Sequence, residues 1–563
     1  MSDYLEKANR WKNSNKLNKE LKEELDNLTP EQLYDAFYTD LEFGTGGMRG
    51  IMGVGTNRLN VIIITKVTLG FARYLLKDDE NAKEKGVVIA HDNRLHNKDF
   101  TMAAANVLTS LGIKVYIFDD LRTTPELSFA IRYLHACGGI NITASHNPKE
   151  YNGYKIYNSD GCQLILEQSN KVLKEIAQIK DELNIDINPR PKLIKVLSDE
   201  VDEAYYDMVI STSVNKKMDK SNIKIVYTPQ HGTGYIPVTT VLKRLGYNVI
   251  EVQEQCFPSN TFENTLSPNP EEKDAYKLAI EYAKREHADL ICTNDPDCDR
   301  CGIAVLDKNG EPRFFTGNQT AAMLIDYYFN AKKQEGTLPK NGVMYNTIVT
   351  SPLGAKVAAS YGIDTETTLT GFKYIGDKIA KSIENNGKEF VMGYEESYGY
   401  LFNSNVRDKD GVQSIMLICE MTSYYAHKGL TLIDVYENIQ QRLNFFVDTQ
   451  YSYKAPGAEG VSKIASIMDN LRNADLSLIA NEKVKAKEDY LSLTRIENGK
   501  EKHLDYEQSN VLRYIFEDDC FVAIRPSGTE PKCKFYFSIS DKTKAEAEAR
   551  HDRIRNFILD LIK

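Results

Sequence analysis

The residues whose types and spacing point to chemistry gather in short polar loops beside apolar runs. Thr143-Ala144-Ser145-His146-Asn147-Pro148 comes directly after Gly138-Gly139-Ile140-Asn141-Ile142, which reads as a short strand. Asn147-Pro148 breaks regular structure, so the spacing predicts that Ser145 sits at an exposed bend. A hydroxyl at a strand end meets substrate in the crevice where open α/β sheets bind ligands. A second loop, Asp295-Pro296-Asp297-Cys298-Asp299-Arg300, follows the apolar Leu290-Ile291-Cys292. Its aspartates alternate, and an extended backbone aims alternate side chains the same way. Three converging carboxylates repel unless a cation joins them, and a hard divalent ion is the natural one. Taken alone, the triplet reads equally well as a solvated acidic turn. It is not an EF-hand, whose glycine and later ligand positions are missing. Arg300 beside it makes sense if an anion is held there as well.

Two further loops carry sugar-like and phosphate-like chemistry. Gly393-Tyr394-Glu395-Glu396-Ser397-Tyr398-Gly399-Tyr400 again follows an apolar run, and its carboxylates can accept hydrogen bonds from sugar hydroxyls. Arg525-Pro526-Ser527-Gly528-Thr529-Glu530-Pro531-Lys532 combines hydroxyls, a glycine with open backbone N–H groups and an arginine, the makings of a phosphate cradle. No G-x-x-x-x-G-K-[ST] occurs, which argues against a nucleoside triphosphatase. Gly44-Thr45-Gly46-Gly47-Met48-Arg49-Gly50 misses the G-x-G-x-x-G fingerprint and follows no clear strand, so Arg49 reads as an anion contact between glycines that permit close approach. Cys298 and Cys301 form a C-x-x-C, but no second pair accompanies it, and flanking aspartates raise a thiol pKa rather than lower it.

These loops need a scaffold of several domains. The chain has 563 residues, 42% hydrophobic and 27% charged, with a formal net charge of −10. That length exceeds one core. The acidic balance argues against a nucleic-acid partner. No apolar run is long enough for a membrane span and the first residues lack a signal-peptide layout. Nine cysteines at irregular spacing fit a reducing cytoplasm. Residues 16–28, with Leu17, Leu21 and Leu25, read as helix, and Thr29-Pro30-Glu31-Gln32 as a fresh helix start with a capping box. Beyond it, short apolar strands (87–90, 115–118, 140–142) alternate with helical stretches such as 101–111. The alternation restarts after a charged stretch, 171–203, with strands at 223–227, 249–252 and 290–292. It begins a third time near 342–345 and runs to 390–393. Strands at 521–524 and 535–537 and a helix over 542–561 end the chain. Strands alternating with helices indicate α/β domains with parallel or mixed sheets.

Taken together, residues 44–50, 143–148, 295–300, 393–399 and 525–531 resemble the α-D-phosphohexomutase superfamily, and within it the phosphoglucomutase and phosphopentomutase branch. The motifs stand in family order from about residue 40 to residue 537. The resemblance implies three related α/β mixed-sheet domains and a smaller C-terminal α+β domain around a central cleft. Expected boundaries are 1–208, 209–325, 326–445 and 446–563. It implies that Ser145 carries a phosphoryl group and that Asp295, Asp297 and Asp299 bind Mg²⁺ together with an oxygen on Ser145. Arg49 and Arg300 would flank the phosphoserine. Glu395 and Ser397, with Thr370 and Gly371 in a looser match, would hold sugar hydroxyls. Arg525, Ser527, Gly528 and Thr529 would grip the distal phosphate. Lys409 and His146 are the two candidates for proton transfer. The implied reaction interconverts glucose 1-phosphate and glucose 6-phosphate, with glucose 1,6-bisphosphate as intermediate and primer. A pentose or mannose phosphate is the alternative substrate, and a sugar-bisphosphate synthase the alternative activity. Pro296 and Cys298 stand where relatives often carry glycine, and Met48 where leucine is frequent.

Overall fold

Strands buried on both faces read as unbroken apolar runs, and such runs anchor three sheets here. The computed structural model of the chain describes residues 3–44, 47–455, 458–527 and 532–562. They belong to two compact units: Met1–Phe315 with Phe372–Lys388 and Ser397–Lys428, and Thr316–Gly371 with Glu389–Glu396 and Gly429–Lys563.

The first unit holds two sheets. In the six-stranded one, Val87–His91 lies between Gly138–Ile142 and Val115–Ile117, parallel to both. Tyr151–Asn158 adds antiparallel to Gly138–Ile142, and Gly47–Ile51 antiparallel to Tyr151–Asn158. Helices Val61–Asp78, Asn97–Ser110 and Leu166–Ala177 pack as a layer on this domain, their apolar faces joining one core around Phe71, Leu108 and Val172. Asn60 starts the first of them by accepting hydrogen bonds from the Ile62 and Ile63 N–H groups, each at 3.1 Å. The five-stranded sheet repeats the plan: Lys224–Thr228 lies between Asn248–Glu251 and Leu290–Asn294, parallel to both. Cys301–Leu306 and Pro312–Phe315 then add antiparallel.

In the second unit Gly342–Thr347 lies between Asp364–Thr368 and Glu389–Glu395, again parallel to both. The last part of the chain is different: an antiparallel sheet in the order Phe445–Lys454, Lys532–Asp541, Phe521–Pro526, Leu512–Phe516, Glu482–Asp489. Helix Lys544–Asp560 packs on it. The fold is thus three α/β domains of one connectivity and a C-terminal α+β domain. In each of the three, the third strand of the parallel set delivers its carboxyl end to a polar loop.

The predicted central strands are all present, within a few residues at their ends, and so is the capping box. Gln32 N donates to Thr29 Oγ1 at 3.3 Å, and Thr29 N to Gln32 Oε1 at 2.9 Å. The charged stretch 171–203 carries the end of helix Leu166–Ala177, the edge strand Ile194–Val196 and the start of helix Asp199–Ser211. Two expectations need correction. Arg49 is not in a glycine loop but on strand Gly47–Ile51, paired opposite Gly153. Ser145 is not at an exposed bend: it is 3% exposed. Residues 45 and 46 of the glycine run, and Gly528 and Thr529 of the predicted phosphate cradle, lie outside the described residues.

Candidate active site

The site in the first unit is assembled where two central strands end. Beyond Ile142 the chain bends sharply, with Ser145 at φ 50°, a left-handed conformation that side chains adopt at a cost. A network of fixed polar groups holds it there. Ser145 N donates to Thr143 Oγ1 at 2.8 Å, and that hydroxyl donates to Asp92 Oδ2 at 2.6 Å. Asp92 pairs with Arg94 at 3.3 Å. The Arg94 guanidinium donates to the carbonyls of Ser145 and Asn147, each at 2.6 Å, and of Pro148 and Tyr151, each at 2.8 Å. One planar, always charged side chain therefore clamps the whole serine loop.

The acidic loop after Leu290–Asn294 faces it. The backbone there is a turn rather than the extended run expected, with Cys298 at φ 55°. The three carboxylates still converge: one ligand oxygen from each of Asp295, Asp297 and Asp299 lies within 4.8 Å of the others. All three are buried. Glycines let other segments close over the turn. A Cβ on Gly232 would come 2.4 Å from Pro296 Cα, and one on Gly411 would come 2.6 Å from the Cys298 carbonyl oxygen.

Ser145 Oγ joins the two loops by donating to Asp295 Oδ2 at 2.7 Å, and His146 Nδ1 lies 3.2 Å from the same oxygen. Lys155, on Tyr151–Asn158, reaches Asp297 Oδ2 at 2.9 Å and Asp299 Oδ2 at 3.7 Å. Lys409 reaches Asp299 Oδ2 and Asp408 Oδ1, each at 3.1 Å. Thr124 Oγ1 donates to Asp297 Oδ2 at 2.9 Å. Arg300 N donates to Asp295 Oδ1 at 3.0 Å, while its guanidinium pairs with Glu271 at 2.8 Å. Arg49 donates to Asn147 Oδ1 at 2.9 Å, beside the serine loop.

These surroundings drive neighbouring carboxylates apart. Burial, then Asp299 and Asp297, push Asp295 well above the ordinary carboxylate range. Burial acts on Asp297 too, but Lys155 outweighs it and holds that carboxyl below its ordinary value, helped by Thr124. Burial, with Arg300 and Arg49 nearby, keeps the His146 imidazole neutral, well below its usual pKa. The C-x-x-C thiol of Cys298 is pushed up by burial first and Asp295 second, so it is no nucleophile.

Among the described residues, Asp297 Oδ1 and Asp299 Oδ1 are buried without a hydrogen-bond partner. Two orphaned carboxylate oxygens beside a third carboxylate and a serine hydroxyl form an all-oxygen donor set that fits a hard divalent cation. Of the residues expected here, the structure brings Ser145, His146, Arg49, Arg300, the three aspartates and Lys409 together. Reading the sequence missed Lys155, Thr124 and the Asp92–Arg94 clamp. The signal available was the chain order, since Lys155 follows Pro148 within the next strand.

The remaining candidates lie elsewhere. In the second unit Glu395, buried at the end of Glu389–Glu395, accepts from Gly371 N at 2.8 Å. Thr370 precedes that glycine. Glu396 accepts from Thr347 and Thr350 at 3.1 and 3.2 Å. Arg525 is the last residue but one of strand Phe521–Pro526, and Ser527 N donates to the Lys532 carbonyl at 2.8 Å. Ser397 belongs to the first unit.

Four domain profiles of the phosphoglucomutase/phosphomannomutase family match the chain. The alpha/beta/alpha domains I, II and III match residues 40–183, 203–310 and 316–443, and the C-terminal domain matches 469–556. The chain is 40% identical to a phosphoglucomutase of Staphylococcus haemolyticus over 90% of this chain and 91% of that one. It is 38% identical to a phosphoglucomutase of Staphylococcus epidermidis over 95% and 97% of the two chains. Among solved structures, pp63/parafusin from Paramecium, in its open form, shares the fold with a TM-score of 0.66 at 18% identity, covering 93% of this chain and 95% of that one.

Proposed function

We propose, for a chain that belongs to the phosphoglucomutase/phosphomannomutase family, that it interconverts α-D-glucose 1-phosphate and glucose 6-phosphate through a phosphorylated Ser145. The observation that carries the reading is the 2.7 Å hydrogen bond from Ser145 Oγ to Asp295 inside the carboxylate cluster. That position supports the reading of Ser145 as a phosphoryl carrier, because it sets the hydroxyl among the carboxylates that would share a cation with the phosphoryl group. The relatives named phosphoglucomutase, alike over nine-tenths or more of their length, support glucose as the sugar.

Asp295, Asp297 and Asp299, with an oxygen on Ser145, would hold Mg²⁺. When bound, the ion draws charge from the phosphoryl oxygens. The chain's own residues do the rest. The free sugar hydroxyl attacks the phosphoserine phosphorus; the new O–P bond forms as the Oγ–P bond breaks, and the hydroxyl proton passes to a base. His146 suits that task, being neutral and 3.2 Å from Oγ. Lys409 and Lys155, ion-paired with Asp299 and Asp297, keep cationic charge beside the transferring group, as do Arg49 and Arg300. Glucose 1,6-bisphosphate results. Returned in the other orientation, it gives its second phosphate to Ser145, and the same compound primes an empty enzyme. We assign sugar contacts to Thr370, Gly371, Glu395 and Ser397, and the non-reacting phosphate to Arg525, Ser527, Gly528 and Thr529.

All nine cysteines are free thiols and buried, which suits a reducing cytoplasm. Among the described residues no helix is long and apolar enough to cross a membrane.

The test is kcat/KM for glucose 1-phosphate, mannose 1-phosphate and ribose 1-phosphate, with Mg²⁺ and the bisphosphate primer. Glucose 1-phosphate is expected to lead by about tenfold or more, the low end of the discrimination that differential binding supplies. A lead for ribose 1-phosphate overturns the hexose assignment and leaves the phosphoserine chemistry standing.

A further inference from the structure

We propose that Arg407 and Arg132 form a binding site for a small oxyanion, a phosphate or carboxylate group, on the first unit and outside the carboxylate cluster. Arg407 opens the Arg407-Asp408-Lys409-Asp410-Gly411 loop and is 2% exposed, among the largest fully buried side chains of the protein. Among the described residues neither its Nε nor its Nη1 meets a hydrogen-bond partner. A guanidinium stays charged in proteins, and burying it unpaired is costly.

The groups around it do not supply the missing charge. Arg132, one turn after Ser128 on helix Thr124–Tyr133, acts on Arg407 more strongly than any carboxylate, and it is a second cation. Its own Nε is also buried without a partner. Asp160 is the nearest acid in effect, but it is committed to Arg132, which lies 3.9 Å from Oδ1 and donates to the Asp160 carbonyl at 3.3 Å. Cys162 stays protonated, pushed up by burial and then by Asp408. Asp408 itself binds Lys409 at 3.1 Å and Tyr157 at 3.0 Å. Two guanidiniums therefore face one acid that is already engaged. Burial, and after it Arg132, lowers Arg407 to about 10.

The frame around the pair is fixed. Arg407 N donates to Ser128 Oγ at 2.9 Å, and Ser128 Oγ donates to the Gly161 carbonyl at 2.6 Å. The helix, the 160–162 turn and the Arg407 loop are thus tied together at one point. The Arg132 side chain is 29% exposed, so it is the solvent-facing member of the pair. A bound oxyanion would accept from both forks, the geometry arginine suits best. It would also steady the backbone that carries Asp408 and Lys409, whose ammonium reaches Asp299.

Equilibrium dialysis of the full chain with selenate counts anions directly. Arg407→Met is expected to lower the saturable count by one. Arg132→Gln, at the part-exposed rim, is expected to weaken that same anion at least tenfold, and it keeps the test usable where Arg407→Met fails to fold. Competition by inorganic phosphate assigns the site to phosphoryl groups, and competition by citrate alone to carboxylates. A crystal of the selenate complex should show the anomalous peak within hydrogen-bond distance of Arg407. An unchanged count and affinity in both variants, competition by neither anion, or only a water beside Arg407 overturns the proposal.

Discussion

At the scale of single residues, the site divides two neighbouring carboxylates by environment rather than by type. Asp295 is driven up by burial and by its two neighbours, while Lys155 holds Asp297 down. Lys155 thus stands in for part of a metal ion's charge. Replacing it by Met removes that competitor, so the Mg²⁺-dependent rise in thermal midpoint should set in at about tenfold lower Mg²⁺ while turnover falls. An unchanged Mg²⁺ dependence would contradict this role for Lys155. Arg94 gives a second test, because a lysine keeps the charge but loses the fork that clamps four carbonyls. Arg94→Lys should lower kcat about tenfold or more with the fold retained, since small displacements of a reacting group are costly. Normal turnover in that variant would show that the clamp does not position Ser145.

At the scale of elements, the placing of Ser145 depends on how closely three strands approach. Gly153 lies between Gly47–Ile51 and the Thr143 backbone. A Cβ there would come 2.3 Å from the Thr143 carbonyl oxygen. Gly153→Ala should therefore cost about 1–3 kcal/mol, the usual price of overpacking, and should disable turnover by moving Ser145. Urea unfolding paired with the mutase assay checks both, and full activity in a stable variant would refute it. The same strands explain what the sequence revealed. Val87–His91, Gly138–Ile142 and Leu290–Asn294 are buried throughout, so each reads as an apolar run. Gly47–Ile51 is glycine-rich and alternately exposed. Ile194–Val196 is a short edge whose Val196 is 54% exposed. Neither leaves an apolar signature, and with Gly47–Ile51 went the true setting of Arg49. Lys155 was hidden likewise: its strand reads as a polar tyrosine-asparagine run. The serine, aspartate and glutamate loops were legible because each pairs an unusual polar cluster with the end of a legible strand.

At the scale of the whole molecule, one connectivity recurs three times, and each copy brings a polar residue to the carboxyl end of its third parallel strand: Ser145 and Asp295 just beyond it, Glu395 at its last position. The C-terminal domain departs from that plan and carries its own buried acid. Burial raises Asp448 from 3.8 to about 6, against hydrogen bonds from Ser538 and Ser351. A carboxyl raised on folding stabilises most below its unfolded pKa and loses that contribution as pH rises through its folded one. Relative to the parent, Asp448→Asn should therefore gain up to about 3 kcal/mol as pH rises from about 4 to about 7. Thermal midpoints of both proteins across that range read the effect, and a constant difference would contradict it. The proposed reaction runs through a phosphorylated Ser145. The most direct measurement is peptide mapping of the intact protein after incubation with glucose 1,6-bisphosphate and Mg²⁺, followed by a chase with glucose 6-phosphate. One phosphate is expected on Ser145, lost to the sugar at a rate no slower than turnover. Phosphate on another residue, or a Ser145 phosphate that persists while turnover proceeds, would contradict it.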